Sequence, residues 1–283
     1  MRMHPGEPEI RPGLVSRLVA AQFPEWAGFP ATRVASSGTD NALFRLGETL
    51  VVRLPRLSAA VGGLEREQRW LPWLGPRVPV RIPELVAVGR PGEGFPWPWS
   101  VLSWLPGRNP GAGDTGLAGD LGEFVAALHR VEPAGGPETQ RGRPLRTRDE
   151  PTREAIAQLG GDPACVEAWE RALAAPDWTG APVWLHADLS PGNVLVSGGA
   201  LSAVLDFGTA GVGDPAVDLI PAWNLLPAAE RETFREAVGA DAATWERGRG
   251  WALSIAAIQL PYYRETNPVL ARNARHTLEA VVD

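Results

Sequence analysis

The stretch His186-Ala-Asp188-Leu-Ser-Pro-Gly-Asn193-Val-Leu-Val196, followed by Val204-Leu-Asp206-Phe-Gly208, decides how this chain is read. Asp188 comes after Val183-Trp-Leu-His186, a short run of buried-strand character. A carboxylate at the end of such a strand faces a cleft. Gly198-Gly199 closes a hairpin between the next two apolar strands. Asn193 enters that hairpin as Asp206 leaves it, so both fall at its same end. Phosphoryl transfer demands positioning, charge neutralisation and a carboxylate near the attacking hydroxyl. Mg²⁺ takes oxygen ligands and keeps several waters. Asn193 and Asp206 offer one amide and one carboxylate, and phosphate oxygens would complete the sphere. Alone, Asp188 is a loop-capping aspartate and Asn193 an ordinary turn residue. Together, the three point to a site for Mg²⁺ and a nucleoside triphosphate, with Asp188 as base.

Residues around this core have two readings each. His186 is either a base in its own right or a residue that orders the loop, and the second fits better. Asp218, in Gly213-Asp-Pro-Ala-Val-Asp218-Leu, caps a helix or ties down the catalytic loop; both are structural roles. In the first third, Ser36-Ser37-Gly-Thr39-Asp-Asn41 links two strands. Its backbone N–H groups form a nest over phosphates or a plain hairpin loop. Arg53 lies inside the strand Val51-Val-Arg-Leu54. A cation in an apolar strand asks for an anion, and Glu67 on the following helix is the natural partner, with Glu65 as competitor and phosphate as second anion.

Bulk properties narrow the class. The 283 residues suit one large domain or two modest lobes, and 44% hydrophobic content allows a sizeable core. A net charge of −6 disfavours nucleic acid as a partner and mildly favours a cationic ligand. No apolar run is long enough for a membrane span. The opening Met1-Arg-Met-His-Pro-Gly-Glu-Pro8 lacks the apolar core of a secretory signal. The single Cys165 is read as a small apolar filler, and a cytoplasmic location is expected. All 27 basic residues are arginine. No lysine is available to hold phosphate, and any such duty falls to a group that cannot deprotonate.

Periodicity supplies the frame. Leu14, Leu18 and Val19 mark a helix between Ile10 and Phe23. Strands are expected within Arg33–Leu46, over Leu50–Leu54, at Val86–Val88 and over Trp99–Leu105, with a helix from Leu64 to Leu74. Pro106 to Gly113 is rich in breakers and is read as the junction between lobes. A helix through Leu121, Phe124, Val125 and Leu128 follows. Pro133 to Pro151 reads as a long surface loop, and Pro163 to Ala174 as a helix. From Asp218 the chain is mostly helical, with breaks at Pro227, Pro261 and Pro268.

His186-Ala-Asp188-Leu-Ser-Pro-Gly-Asn193 with Asp206-Phe-Gly208 resembles the catalytic and metal motifs of the aminoglycoside phosphotransferase family. Asn41-Ala-Leu-Phe-Arg-Leu, Val51-Val-Arg53, Leu64-Glu-Arg-Glu67 and Leu102-Ser-Trp-Leu-Pro-Gly107 stand in that family's order. The resemblance implies a bilobal, protein-kinase-like α+β fold. A small antiparallel-sheet lobe would span 1–105, with a hinge at 103–107, and a larger, mainly helical lobe 106–283. It implies transfer of a γ-phosphoryl from ATP or GTP to a small-molecule hydroxyl, with Asp188 as base and Asn193 and Asp206 on Mg²⁺. Arg53, where a lysine usually grips the α/β-phosphates, would pair with Glu67. The backbone of Ser103, Trp104 and Leu105 would read the nucleobase. Position 190 is Ser where protein kinases place a lysine, and only a short Gly-rich link separates Asp206 from Asp218; a peptide acceptor does not fit. Acceptors in this family bind between core and C-terminal helices, where Trp223, Tyr262, Tyr263 and Glu265 fall. These stack on a sugar or macrolide and hold an ammonium, or they are packing aromatics and a solvated glutamate. An aminoglycoside-type acceptor is expected first, then a macrolide or a choline- or homoserine-like alcohol. A kinase-like nucleotide-binding module without catalysis is the reading from another class.

Overall fold

Alternation of side chains builds the first third. The computed structural model describes residues 7–36, 38–111 and 113–283. Helix α1 (Pro12–Gln22) precedes strands β1 (Ala31–Arg33), β2 (Asn41–Leu46) and β3 (Leu50–Pro55). Helix α2 (Val61–Leu74) and strands β4 (Leu85–Gly89) and β5 (Trp99–Ser103) follow. The strands form one antiparallel sheet in the order β1-β2-β3-β5-β4. Successive strand residues face opposite ways. Phe44 and Leu46 of β2, with Val52 and Leu54 of β3, pack with Val15 and Leu18 of α1. Leu43, Val51 and Arg53 therefore take the other face, which lines a cleft. Helix α2 buries Leu64, Glu67, Leu71 and Leu74. Their spacing is one helical stripe, so a carboxylate sits among leucines, aimed back at β3.

The larger lobe is mainly helical, and the fold as a whole is bilobal α+β. It contains α3 (Ala118–His129), α4 (Asp149–Gln158), α5 (Pro163–Ala174), α6 (Pro221–Asn224), α7 (Arg231–Val238), α8 (Ala242–Tyr263) and α9 (Pro268–Val282). Two small strand pairs carry the motif loops. Strand β6 (Val183–Leu185) pairs with β9 (Gly211–Gly213), and β7 (Val194–Ser197) with β8 (Ala200–Val204). The turn between β7 and β8 needs left-handed backbone, and Gly198 and Gly199 supply it at φ 61° and 85°. Leu205 N–H then donates to Asn193 O at 2.8 Å, which places the two ends of the hairpin side by side.

Three local expectations need correcting. The stretch from Pro133 to Pro151 is not all loop: α4 begins at Asp149, and Pro151 sits in its first turn, where a missing N–H costs little. Pro261 does not break the chain; it lies within α8, which ends two residues later. Asp218 caps no helix, because it lies inside the short 3₁₀ turn Pro215–Leu219.

That turn is held from two sides. Asp214 accepts from Ala216 N–H at 3.0 Å and from Arg247 Nε at 2.8 Å. Arg247, on α8, also donates to Pro176 O and Thr244 Oγ1. A side chain at Gly248 would meet Leu219 Cβ at 2.7 Å, so α8 lies tight against the turn. Both members of the Arg247–Asp214 pair are buried. Removing one leaves an uncompensated buried charge, a loss of about 3–5 kcal/mol. Asp214→Ala is therefore expected to lower the urea midpoint strongly; a shift of only a few tenths of a kcal/mol equivalent would contradict this anchoring role.

Candidate active site

The loop after β6 is fixed from beneath by one carboxylate. Asp218 Oδ2 accepts from His186 N–H at 3.0 Å and Oδ1 from Ala187 N–H at 2.7 Å. His129 Nε2 lies 3.2 Å from Asp218 Oδ2. Ala187 has φ 65°, a left-handed conformation that costs an alanine about 1–2 kcal/mol. The two Asp218 contacts hold it there. His186 spends its ring on the backbone: Nε2 is 2.9 Å from Leu205 O, and Nδ1 accepts from Asp188 N–H at 3.2 Å. The ring is wholly buried, edge-on to Phe207, and orders the loop without reaching the cleft.

Asp188 emerges from this loop into a cleft of about 480 Å³. Asn193 Nδ2 donates to the Asp188 carbonyl at 2.9 Å and to Asp188 Oδ2 at 3.1 Å. This commits the amide nitrogen and leaves the amide oxygen for another partner. Asp188 Oδ1 takes an ion pair from Arg141 Nη1, which also donates to Ala187 O at 2.9 Å. Arg141 was not expected in this role, because it lies in the stretch read as a surface loop.

Opposite Asp188, three charged groups form a chain. Arg53 Nη1 donates to Glu67 Oε1 at 3.0 Å and Nη2 to Asp206 Oδ1 at 2.6 Å. Phe207 N–H also donates to Glu67 Oε1, at 2.8 Å. With its amide oxygen turned to the guanidinium, Asn41 accepts from Arg53 Nη2 and Nε at 2.9 and 3.1 Å. Glu65, the competing partner, is exposed. Burial presses the Arg53 guanidinium down, but Asp206 and Glu67 outweigh it and raise its pKa overall. Burial works against ionised Asp206, yet Arg53 holds its carboxyl below the ordinary range. Burial pushes the Glu67 carboxyl up to about 7, against the pull of Arg53. Asp206, at φ 63°, is held in left-handed backbone beside this cluster.

Thr39, Arg53, Ser103, Trp104, Leu105, Asp188, Asn193, Asp206 and Tyr263 all line this one cleft. Ser37 lies outside the described residues. Glu67 stands behind Arg53, not in the wall. The hinge is narrower than expected: Ser103 N–H is spent on Glu84 O at 2.9 Å and Trp104 N–H on Thr49 O at 2.7 Å. Of those three N–H groups, only that of Leu105 lacks a partner among the described residues. Trp223 is a correction. It is 1% exposed and packs on Trp245 in the core, so it stacks on no ligand. Tyr262 and Glu265 are exposed and stand outside the cleft wall. Tyr263 alone of that group lines the cleft, with its hydroxyl 3.5 Å from Thr39 Oγ1. Asn109 was also missed: its Nδ2 donates to Gly192 O and Val194 O, tying the segment after β5 to the Asn193 turn.

The donor set fits Mg²⁺ on a nucleotide and not a free-standing metal site. Among the described residues no cluster of three His, Cys, Asp or Glu side chains is placed to hold a metal. Asn193 Oδ1 and the Asp206 carboxylate are oxygen donors on the cleft wall. Mg²⁺ bound by so few protein groups relies on phosphate and water for the rest.

The profile of the phosphotransferase enzyme family matches residues 31–251. No curated protein matches the chain. Among solved structures, the GDP complex of wild-type aminoglycoside 2'-phosphotransferase-IIIa superposes with a TM-score of 0.73 at 20% identity, covering 96% of this chain and 99% of that one. The apoenzyme of a macrolide 2'-phosphotransferase from Brachybacterium faecium gives 0.63 at 26% identity, covering 94% and 97%.

The Glu67 environment makes a prediction with a definite sign. Its folded pKa of about 7 lies above the ordinary 4.5, so between those values the folded state binds more protons than the unfolded one. Its contribution to stability is full at low pH and declines as pH rises through that window. Urea midpoints of the wild type should fall relative to Glu67→Gln between pH 5 and pH 7; parallel pH profiles would refute the assignment.

Proposed function

The chain belongs to the phosphotransferase enzyme family, and from that premise we propose that it moves the γ-phosphoryl of ATP or GTP to a hydroxyl of a small molecule. The observation that carries the reading is that Asp188, Asn193 and Asp206 share one cleft, the first two in direct contact and the third held by Arg53. Asp188 takes the proton from the acceptor hydroxyl. The hydroxyl oxygen forms a bond to the γ-phosphorus as the bond from that phosphorus to the β-phosphate oxygen breaks, and the nucleoside diphosphate leaves. Asn193 fixes one Asp188 oxygen and Arg141 the other, so the carboxylate cannot swing away. Arg53 gives the triphosphate a fixed cation that acts through its charge, since its N–H groups are largely spent on Glu67, Asp206 and Asn41. Mg²⁺, when bound by Asn193 and Asp206, neutralises phosphate charge. The Leu105 N–H serves the nucleobase.

The acceptor end of the cleft is walled by Ile220, Ala252, Ile255, Ala256 and Leu270, with Asn224, Gln259, Asn273 and Thr277 as uncharged polar groups. The carboxylates that line the cleft among the described residues are Asp40, Asp188 and Asp206. Solved relatives bind kanamycin, gentamicin and streptomycin, and others are macrolide phosphotransferases. For this chain the wall supports a hydroxylated acceptor of antibiotic size with an apolar body more than a polycationic aminoglycoside. No aromatic cage for a choline-type head is present among the described residues of this wall, since Trp223 is packed inside.

Incubation with Mg·ATP and Mg·GTP against aminoglycosides, macrolides and metabolite alcohols, read by mass addition of one phosphoryl group, tests the proposal. Asp188→Asn should lower kcat by about 10²–10⁴-fold while nucleotide affinity stays within a few-fold. Asp206→Asn should raise the Mg²⁺ concentration needed for nucleotide binding. Nucleotide bound without transfer to any acceptor would instead favour a kinase-like binding module.

A further inference from the structure

Beside the acceptor end lies a second hollow of about 350 Å³, bounded by Arg141, Arg143 and Arg148 from the segment before α4 and by Trp251, Ile258 and Gln259 from α8. It shares Arg141, Ile255 and Gln259 with the main cleft, so the two are neighbours across those side chains. No carboxylate lines it.

Its charges are unbalanced. Arg141 is paired with Asp188, but Arg143 and Arg148 enter no ion pair among the described residues. The other arginine of that segment, Arg146, is satisfied by Asp177. Arg148 is half-buried, and its Nε reaches only Ser254 Oγ, at 3.4 Å. Burial and then the Arg141 charge lower its pKa, so a neighbouring anion would relieve it. A second observation is independent of charge. Trp251 is 1% exposed, and its Nε1–H has no hydrogen-bond partner among the described residues. A buried indole donor left unpaired is destabilising, and Trp251 is part of the wall of this hollow.

We infer that this arginine-walled hollow is an anion subsite that receives a carboxylate or phosphate group carried by the acceptor. A guanidinium fork binds two oxygens of a carboxylate or of a phosphate at once. The acceptor would lay its apolar body along Ile255 and Ala256, present its hydroxyl to Asp188, and place its anionic end against Arg143 and Arg148. This deepens the phosphotransferase reading and rests on it. It names a hydroxylated acid as acceptor, and the two arginines without an ion pair, Arg143 and Arg148, repel a polycation from the same place.

The test has a binding arm and a turnover arm. In the first, inorganic phosphate is titrated into ¹⁵N-labelled full-length protein saturated with a Mg²⁺-bound non-hydrolysable ATP analogue, so that the γ-phosphoryl position is filled as well. The Trp251 indole signal, assigned with Trp251→Phe, should move saturably at millimolar phosphate. Arg148→Gln, or Arg143→Gln at an exposed position, should weaken that binding by about tenfold. No movement up to tens of millimolar, or equal movement in both variants, overturns the subsite. In the second arm, apolar hydroxy acids, their methyl esters and aminoglycosides are offered with Mg·ATP and Mg·GTP. The acids should be preferred, and Arg148→Gln should raise their KM about tenfold with kcat kept within a few-fold. Transfer only to esters or aminoglycosides overturns the acceptor assignment. A normal phosphate response with transfer to nothing overturns it together with the transfer reading, and the intact titration separates that failure from loss of the subsite.

Discussion

The guanidinium of Arg53 is the constraint on which the rest of the cleft depends. It joins β3, the α2 stripe through Glu67, and the Asp206 turn of the other lobe. A buried cation is tolerable only when paired and hydrogen-bonded. Here two carboxylates and an amide oxygen surround it. In a chain without lysine the group cannot escape burial by losing its proton. The structure must therefore bring anions to it, and that requirement draws Asp206 across the cleft.

Asp218 plays the complementary part beneath Asp188. One carboxylate satisfies two successive backbone N–H groups of a strained turn, and Arg247 and Asp214 hold its own turn against α8. The two sides of the cleft are thus stabilised by different means. A charge cluster fixes Asp206, while backbone hydrogen bonds fix Asp188. Both left-handed residues that are not glycine in the motif region, Ala187 and Asp206, sit next to one of these anchors. Such strain persists only where neighbours over-determine it.

Much of this was legible because it is local. The Gly198-Gly199 turn, the hairpin ends that bring Asn193 and Asp206 together, and the period-two face of β3 follow from spacing alone. The Glu67 partner of Arg53 was legible because a carboxylate on a leucine stripe has few places to go. Arg141 was not. Its run of arginines looks like a solvated surface loop, and only the tertiary path of the segment before α4 carries it to Asp188. Trp223 had two readings, stacking on a ligand or packing between helices, and burial selects the second. An aromatic residue near an expected ligand region is more often core, and its packing on Trp245 needed the placement of α8 to be seen. The hinge N–H groups were overcounted because sheet pairing continues to Trp104, one residue past β5.

Net charge was the least informative of the sequence properties. A total of −6 suggested attraction of a cation. Field in a cleft is set by the groups that line it and by the low-dielectric walls that focus it. Much of the acidic charge lies elsewhere, in pairs such as Arg153–Glu170 and Arg171–Glu167 on the helix surfaces, where solvent screens it. In the hollow next to the cleft the balance differs: Arg141, Arg143 and Arg148 line it and no carboxylate does. A protein that is acidic overall thus carries a recess lined by arginines and by no carboxylate beside Asp188.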